Sequence, residues 1–343
     1  MHIVLVDDSI PFDGRSPESQ PLGGPEKAFA SLPGALARRG HRVQVFNRAA
    51  ASCECEGAAW ESWQGTRPVE CEVLIAFRRP ELLGFVAHAG KKVLWIAGPA
   101  QYLSEERNKG LLFAHRPTLV FMGETHRASY RAPDFELRTT AVAPGVRPEY
   151  LEDTAASPRI PPYAVATSHP ELGLAWLIKL WSARIYPRCP HAELRLYSAL
   201  LDRALFGAPV AEPFKAVAAL ALDARDKGIA IHRPGSDPVM AEAYRGARLH
   251  LHPGDAREVY CYTLAESQAC GTPAVARPTP AAAERIADNV SGHLALEEDA
   301  FAGFTLGLLE DDGAYVRLSE GARGRAKERT WERAAAAFEA IWL

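Results

Sequence analysis

Nowhere in its 343 residues does the sequence hold an apolar run near the roughly 20 residues that a bilayer-crossing helix requires. The opening MHIVLVDDS meets Asp7 and Asp8 straight after a short apolar run, too soon for a secretory leader, so a cytoplasmic protein is expected. Peripheral contact with a membrane stays open on this reading. Cysteine is sparse: the six (53, 55, 71, 189, 261 and 270) follow no framework spacing, so free thiols in a reducing compartment are expected. Cys53 and Cys55 make a single C-x-C pair, and without a second pair to close a zinc site no metal is expected there. Neither sign of charge dominates, with a net charge of −3 and both halves near neutral, which excludes the basic face that nucleic acid requires. Internal repeats and low-complexity tracts are also missing.

What is present is the composition of a globular protein, 48% hydrophobic and 24% charged, on a chain too long for one ordinary core. Two domains of about 150 residues are therefore expected. Short β-rich runs (HIVLV, RVQVF, EVLIAF, KVLWIA, TLVFM, TTAVA, then YAVAT, ELRLY, IAIH, RLHLH, PAVAR) recur between helical patterns. They are continuous rather than alternating, which suits strands buried on both faces of a parallel sheet covered by helices. The simplest reading is an α/β chain of two doubly wound halves. LEDTAASPRIPPY, Leu151 to Tyr163, reads as the linker, which sets the domains at 1–155 and 160–329. Helices are expected around Phe29, Leu32 and Leu36 with a kink at Pro33, from Leu172 through LGLAWLIKLWSARIY, and over the closing ERTWERAAAAFEAIWL.

Two segments carry candidate chemistry. In PLGGPEKAF, Gly23 and Gly24 precede a helix beginning near Glu26, whose first N–H groups suit a phosphate, although a plain tight turn explains them equally. In EVYCYTLAESQACGTPAVAR, Glu258 falls in a loop and Glu266 near a helix start, eight positions apart. A helix start favours anions, so acids there make most sense facing ligand hydroxyls. The loop follows a strand, where open α/β sheets bind ligands, yet a solvated loop acid and a helix-end acid remain the plain alternative. His126 could point into the same region. His250 and His252 share one strand face, an arrangement that with Asp255 can ligate a metal but reads rather as one buried and one cleft-lining ring, and Asp7 and Asp8, which could reach an acceptor, read rather as a cap or solvated loop.

The second segment resembles the E-x7-E signature of retaining nucleotide-sugar glycosyltransferases of family 4, with Glu258, Tyr260, Cys261, Thr263, Glu266, Gln268, Ala269, Gly271 and Pro273 in corresponding positions. LGGPEKAFASLPGALARRGHRVQVF, APGVRPEYL, ADNVSGHLA and the closing helix are similar to that family's other segments in the same order. The resemblance implies the GT-B fold: two Rossmann-like domains facing a cleft, with residues 330–343 returning to the first domain. It also implies that Glu258 meets the hexose and Glu266 the ribose, and that N–H groups from Cys261 through Tyr262 and Thr263 to Leu264, flanked by Tyr260, line the sugar and diphosphate. Gly23 and Gly24 would close over the phosphates. No cofactor or metal is implied beyond the nucleoside diphosphate sugar itself, because helix dipoles and basic side chains stabilise the leaving diphosphate.

Two departures stand out. SHPELGL carries Leu172 where the family places a basic residue, with Arg257 and Lys179 as candidate substitutes, and LWIAGPAQYL lacks the usual strand-end histidine, for which His126 is the candidate. Function is therefore expected to be retaining transfer of a hexose from a nucleoside diphosphate sugar to an unknown acceptor on the first domain. The alternatives are an impaired GT-B domain that binds nucleotide or sugar as a partner or regulator, and a sugar-nucleotide epimerase.

Overall fold

The computed structural model describes residues 1–152 and 160–343, so residues 153–159 of the expected linker, and the expected domain limit at 155, lie outside the described residues. Contacts divide the chain into two units: Met1–Arg147 with Arg257–Tyr260 and Arg329–Leu343, and Pro148–Ala256 with Cys261–Glu328.

The first unit holds β1 (His2–Val6), β2 (Arg42–Asn47), β3 (Cys53–Cys55), β4 (Ala58–Ser62), β5 (Glu70–Phe77), β6 (His88–Trp95), β7 (Thr118–Phe121) and β8 (Thr139–Ala141) in the order β3-β4-β2-β1-β5-β6-β7-β8. Every ladder is parallel except β3 with β4. Ile3, Val4, Leu5 and Val6 are all fully buried, as a strand covered on both faces demands. The helix Gly24–Arg38 passes through Pro33 and buries Phe29, Leu32 and Leu36 against the sheet. Pro33 removes one backbone donor, and the apolar face keeps the turn in place.

The closing helix Trp331–Glu339 belongs to this unit. It enters through a parallel bridge between Val146 and Thr330, and Gly145 has to be glycine because a Cβ there would lie 2.5 Å from the Trp331 nitrogen. Phe338 sets its edge on Trp95 with ring centres 5.0 Å apart, and Glu339 pairs with Arg39 and, at 2.9 Å, with His41. The aromatic contact holds the helix more firmly than the ion pairs, which at a surface are worth about 1 kcal/mol or less.

The second unit holds β9 (Tyr163–Ala166), β10 (Glu193–Tyr197), β11 (Ile229–His232), β12 (Leu249–His252), β13 (Ala274–Ala276) and β14 (Gly292–Leu294) in the order β11-β10-β9-β12-β13-β14, all parallel. That is the 3-2-1-4-5-6 order of a doubly wound sheet, with its switch point between β9 and β12. Leu177, Ile178, Trp181, Leu194, Leu251 and Phe301 form the core under one face.

The structure departs from the sequence reading in two places. Three short strands, β3, β4 and β14, arise where no strand was expected: β3 and β14 are edge strands, and β4 joins β3 to β2, so each is held by pairing more than by apolar sequence of its own. The helix expected from Leu172 begins instead at Ala175: Leu172 (φ −102°, ψ 59°) and Gly173 (φ 79°, ψ 4°) leave the helical region. A side chain at Gly173 would sit 2.9 Å from Pro253 Cβ, so glycine is what lets the β9 loop lie against the β12 loop. Among the described residues no helix is long and apolar enough to cross a membrane, and all six cysteines are free thiols.

Candidate active site

At the switch point of the second unit, the β9 loop (Thr167–Leu174) and the β12 loop leave the sheet side by side. The helix Tyr262–Ala269 starts there, after Cys261 in the left-handed region (φ 58°, ψ 63°). For a residue with a Cβ that backbone costs about 1–2 kcal/mol, and such strain gathers at functional positions. The first intrahelical bond runs from Ala265 N–H to the Cys261 carbonyl at 3.2 Å. First-turn N–H groups, here those of Tyr262, Thr263 and Leu264, have no acceptor inside their own helix and carry the positive end of its dipole.

Beneath this turn lies a buried polar row. His250 is fully buried and held well below the ordinary histidine range, first by burial and then by the neighbouring His252, so its ring is neutral. Ser267 Oγ donates to the Leu264 carbonyl at 3.2 Å and therefore accepts from His250 Nδ1–H at 2.8 Å, which leaves Nε2 to accept from the Thr167 hydroxyl at 3.2 Å. His252 meets Ser168 Oγ at 3.5 Å through Nδ1 and Cys261 Sγ at 3.6 Å through Nε2. Both histidines are buried, where one had been expected to line the cleft, because strand alternation puts them on the same face under the helix.

Glu266 sits in the middle of the helix rather than near its start, only 7% exposed. Burial, and after it the Glu266 carboxylate, raises the phenol of Tyr150 and likewise that of Tyr244 well above the tyrosine range. Tyr150 donates its hydroxyl proton to Asp237 Oδ1 at 2.7 Å. Two acids, Glu266 and Asp237, thus lie among the groups that raise both phenols. The small and polar residues that follow are structural: Gln268 Nε2 donates to the Ser291 carbonyl at 2.8 Å, and Thr272 Oγ1 to the Tyr244 carbonyl at 2.7 Å.

Lys179 does not compensate for Leu172. It lines a groove with Ser182, Asp223 and Lys227, the last just ahead of β11, and so stands by the amino-terminal edge of the sheet. Arg257, Glu258 and Tyr260 group with the first unit rather than the second, since Tyr260 is buried there and donates its hydroxyl proton to the Pro144 carbonyl at 2.6 Å. Its side chain is an anchor, and the half-buried Glu258 and exposed Arg257 ride on the same short loop.

In the first unit the glycine loop meets a charged cluster. Gly23 is the N-cap of its helix, which begins at Gly24, and a Cβ on Gly23 would run into the Glu26 carboxylate. Glu26 Oε1 pairs with Arg78 Nη2 at 2.5 Å, and Arg78 itself is left-handed (φ 65°) with its carbonyl accepting from the Tyr102 hydroxyl. Asp7, expected as a cap or a solvated acid, is 1% exposed; burial raises its carboxyl above the ordinary range against a 2.6 Å hydrogen bond from Ser9 Oγ. Asp8 pairs with Arg79 at 2.6 Å. His126 departs from expectation as well. It is buried, its Nδ1 accepts from Met122 N–H at 3.2 Å, and its Nε2–H therefore donates to the Gly98 carbonyl at 3.0 Å. A ring so engaged joins the loops after β6 and β7 and has no lone pair left to take a proton.

Residues 163–311 match the family model of the Glycosyl transferases group 1. Most of the second unit is thus similar to a group 1 glycosyl transferase domain. A stretch of 116 residues is 36% identical to the D-inositol 3-phosphate glycosyltransferase of Xylanimonas cellulosilytica, covering 33% of this chain and 27% of that protein. Sucrose-phosphate synthase from Thermosynechococcus elongatus has the same fold (TM-score 0.73, 13% identity, 99% of this chain and 98% of that one). HepE from Anabaena, solved in complex with UDP and glucose, is similar in fold too (TM-score 0.70, 14% identity, 99% of each chain). The two Rossmann-like units have the GT-B fold, and the stretch that matches the group 1 model contains the left-handed Cys261, the helix start and Glu266.

Proposed function

We propose that the protein is a retaining hexosyltransferase that takes a hexose from a nucleoside diphosphate sugar and passes it to an acceptor held by the first unit. The observation that carries this reading is Glu266, 7% exposed and one turn below a helix start at the carboxyl end of the second unit's sheet. A carboxylate accepts hydrogen bonds from vicinal hydroxyls such as those of a ribose. N–H groups of Tyr262, Thr263 and Leu264 receive the diphosphate, Gly23 and Gly24 are a further phosphate contact, and Glu258 orients the hexose. HepE was solved with UDP and glucose, which supports a nucleotide-sugar donor here.

In the reaction the bond between the anomeric carbon and the phosphate oxygen breaks with both electrons staying on the diphosphate. The acceptor oxygen forms its bond on the same face of the sugar, and its proton passes to the departing phosphate. This route needs no protein nucleophile and no base at His126, whose task is to position the β6 and β7 loops. Calorimetric titration with UDP, GDP, ADP and TDP tests the donor seat, and release of free nucleotide from the matching sugar nucleotides tests turnover. Binding by at least one nucleotide, with release from its sugar derivative, is expected; binding without any release would leave a sugar-nucleotide binding protein in place of a transferase.

A further inference from the structure

A diphosphate that gains charge as it leaves requires a positive partner, and the β9 loop offers Leu172 instead. Resting on the donor reading above, we infer that Arg277 supplies this charge from the far side of the switch point. Arg277 follows β13 directly, at the carboxyl end of the sheet. Its guanidinium lies over the Trp176 ring, 5.3 Å from the centroid, and Trp176 stands in the first turn of the helix Ala175–Leu180, four positions after Leu172. The indole is itself fixed: Nε1–H donates to Glu298 Oε1 at 2.9 Å, and the ring meets Phe301 edge-on at 5.1 Å. On the other side, the β12 loop reaches Arg277 at Gly254, left-handed at φ 67°, where a Cβ would come within 3.2 Å of Arg277 Cβ. The arginine therefore touches the elements that follow β9 and β12, the two strands flanking the switch point.

Arg277 has no acid of its own among the described residues. Arg78 and Arg79 are paired with Glu26 and Asp8, whereas Arg277 makes no ion pair among the described residues. A guanidinium held on an aromatic face keeps its charge and most of its donors available, and it fits a phosphate bidentately. Nothing in the spacing of the sequence signals the role, because Trp176 and Arg277 are a hundred residues apart.

The test is calorimetry on the full chain with nucleoside diphosphates and the matching monophosphates, comparing wild type, Arg277→Gln, Arg277→Lys and Trp176→Ala. Arg277→Gln is expected to weaken diphosphate binding by about tenfold or more with monophosphate binding changed less than about twofold; lysine should restore part of the loss, and Trp176→Ala should give a smaller loss of the same kind. Equal loss for mono- and diphosphates would mark a merely structural residue and overturn the inference, as would unchanged diphosphate binding in Arg277→Gln. A wild-type chain that binds none of the nucleotides would sink the donor reading, and this inference with it.

Discussion

Both units present a carboxyl edge at a switch point, and they furnish it in opposite ways. In the first unit the edge beyond β1 and β5 is a set of closed ion pairs, Glu26 with Arg78 and Asp8 with Arg79, beside a buried Asp7. In the second unit the edge beyond β9 and β12 is built of neutral rings, backbone N–H groups, an acid under phenols, and an arginine with no acid of its own among the described residues. Charges paired with one another at a loop, like those of the first unit, organise that loop. On the proposed function, the contrast fits a nucleotide seat in the second unit.

The sharpest way to break this comparison is Glu258→Gln. Its turnover should fall by about 100-fold or more while nucleotide affinity stays near wild type, since the loss falls on a group that acts on the hexose. Parallel transfer rates and calorimetry check it, and wild-type turnover would remove Glu258 from the reaction. Glu266→Ala should cost about 1.5–3 kcal/mol of nucleotide affinity, more than tenfold. Unchanged affinity there would count against the ribose role.

Acid separates the units next. His250 is neutral in the folded state and held below its ordinary range by burial, so the stability of the second unit is whole above about pH 6.5 and is lost as pH falls through the lowered value. Thermal scans from pH 7 to 5 should show that decline, and His250→Gln should flatten it. Asp7 has the opposite sign. Its carboxyl is raised by burial, so the stability it contributes is present below the ordinary carboxylate range and lost as pH rises through the raised value. Asp7→Asn should therefore raise the melting temperature at pH 7 slightly, by about 1–2 °C, and lower turnover if Asp7 serves the acceptor. A melting temperature that falls instead would place Asp7 among the stabilising pairs.

The legibility of the sequence followed the same division. The continuous apolar runs read correctly as parallel strands because burial on both faces leaves no polar alternation, and the acid-loop-helix segment read as such because Gly271, Thr272 and Pro273 punctuate it. What escaped depended on partners distant in the chain. Cys53–Cys55 and Ala58–Ser62 become strands by adding to an existing edge, and Gly173 stops a helix its neighbours favour by turning left-handed against Pro253. His126 carried the chemistry of a base in its residue type, yet Met122 and Gly98 take both nitrogens. Arg277 gave no local signal at all, since its meaning comes from Trp176 and from the charge that Leu172 does not supply.

The account stands most directly on where a nucleoside diphosphate lies in a crystal of the full chain. It predicts diphosphate density against the N–H groups of Tyr262 to Leu264, with the ribose hydroxyls about 3 Å from the Glu266 carboxylate. Density elsewhere, with Glu266 still turned to Tyr150 and Tyr244, would contradict it.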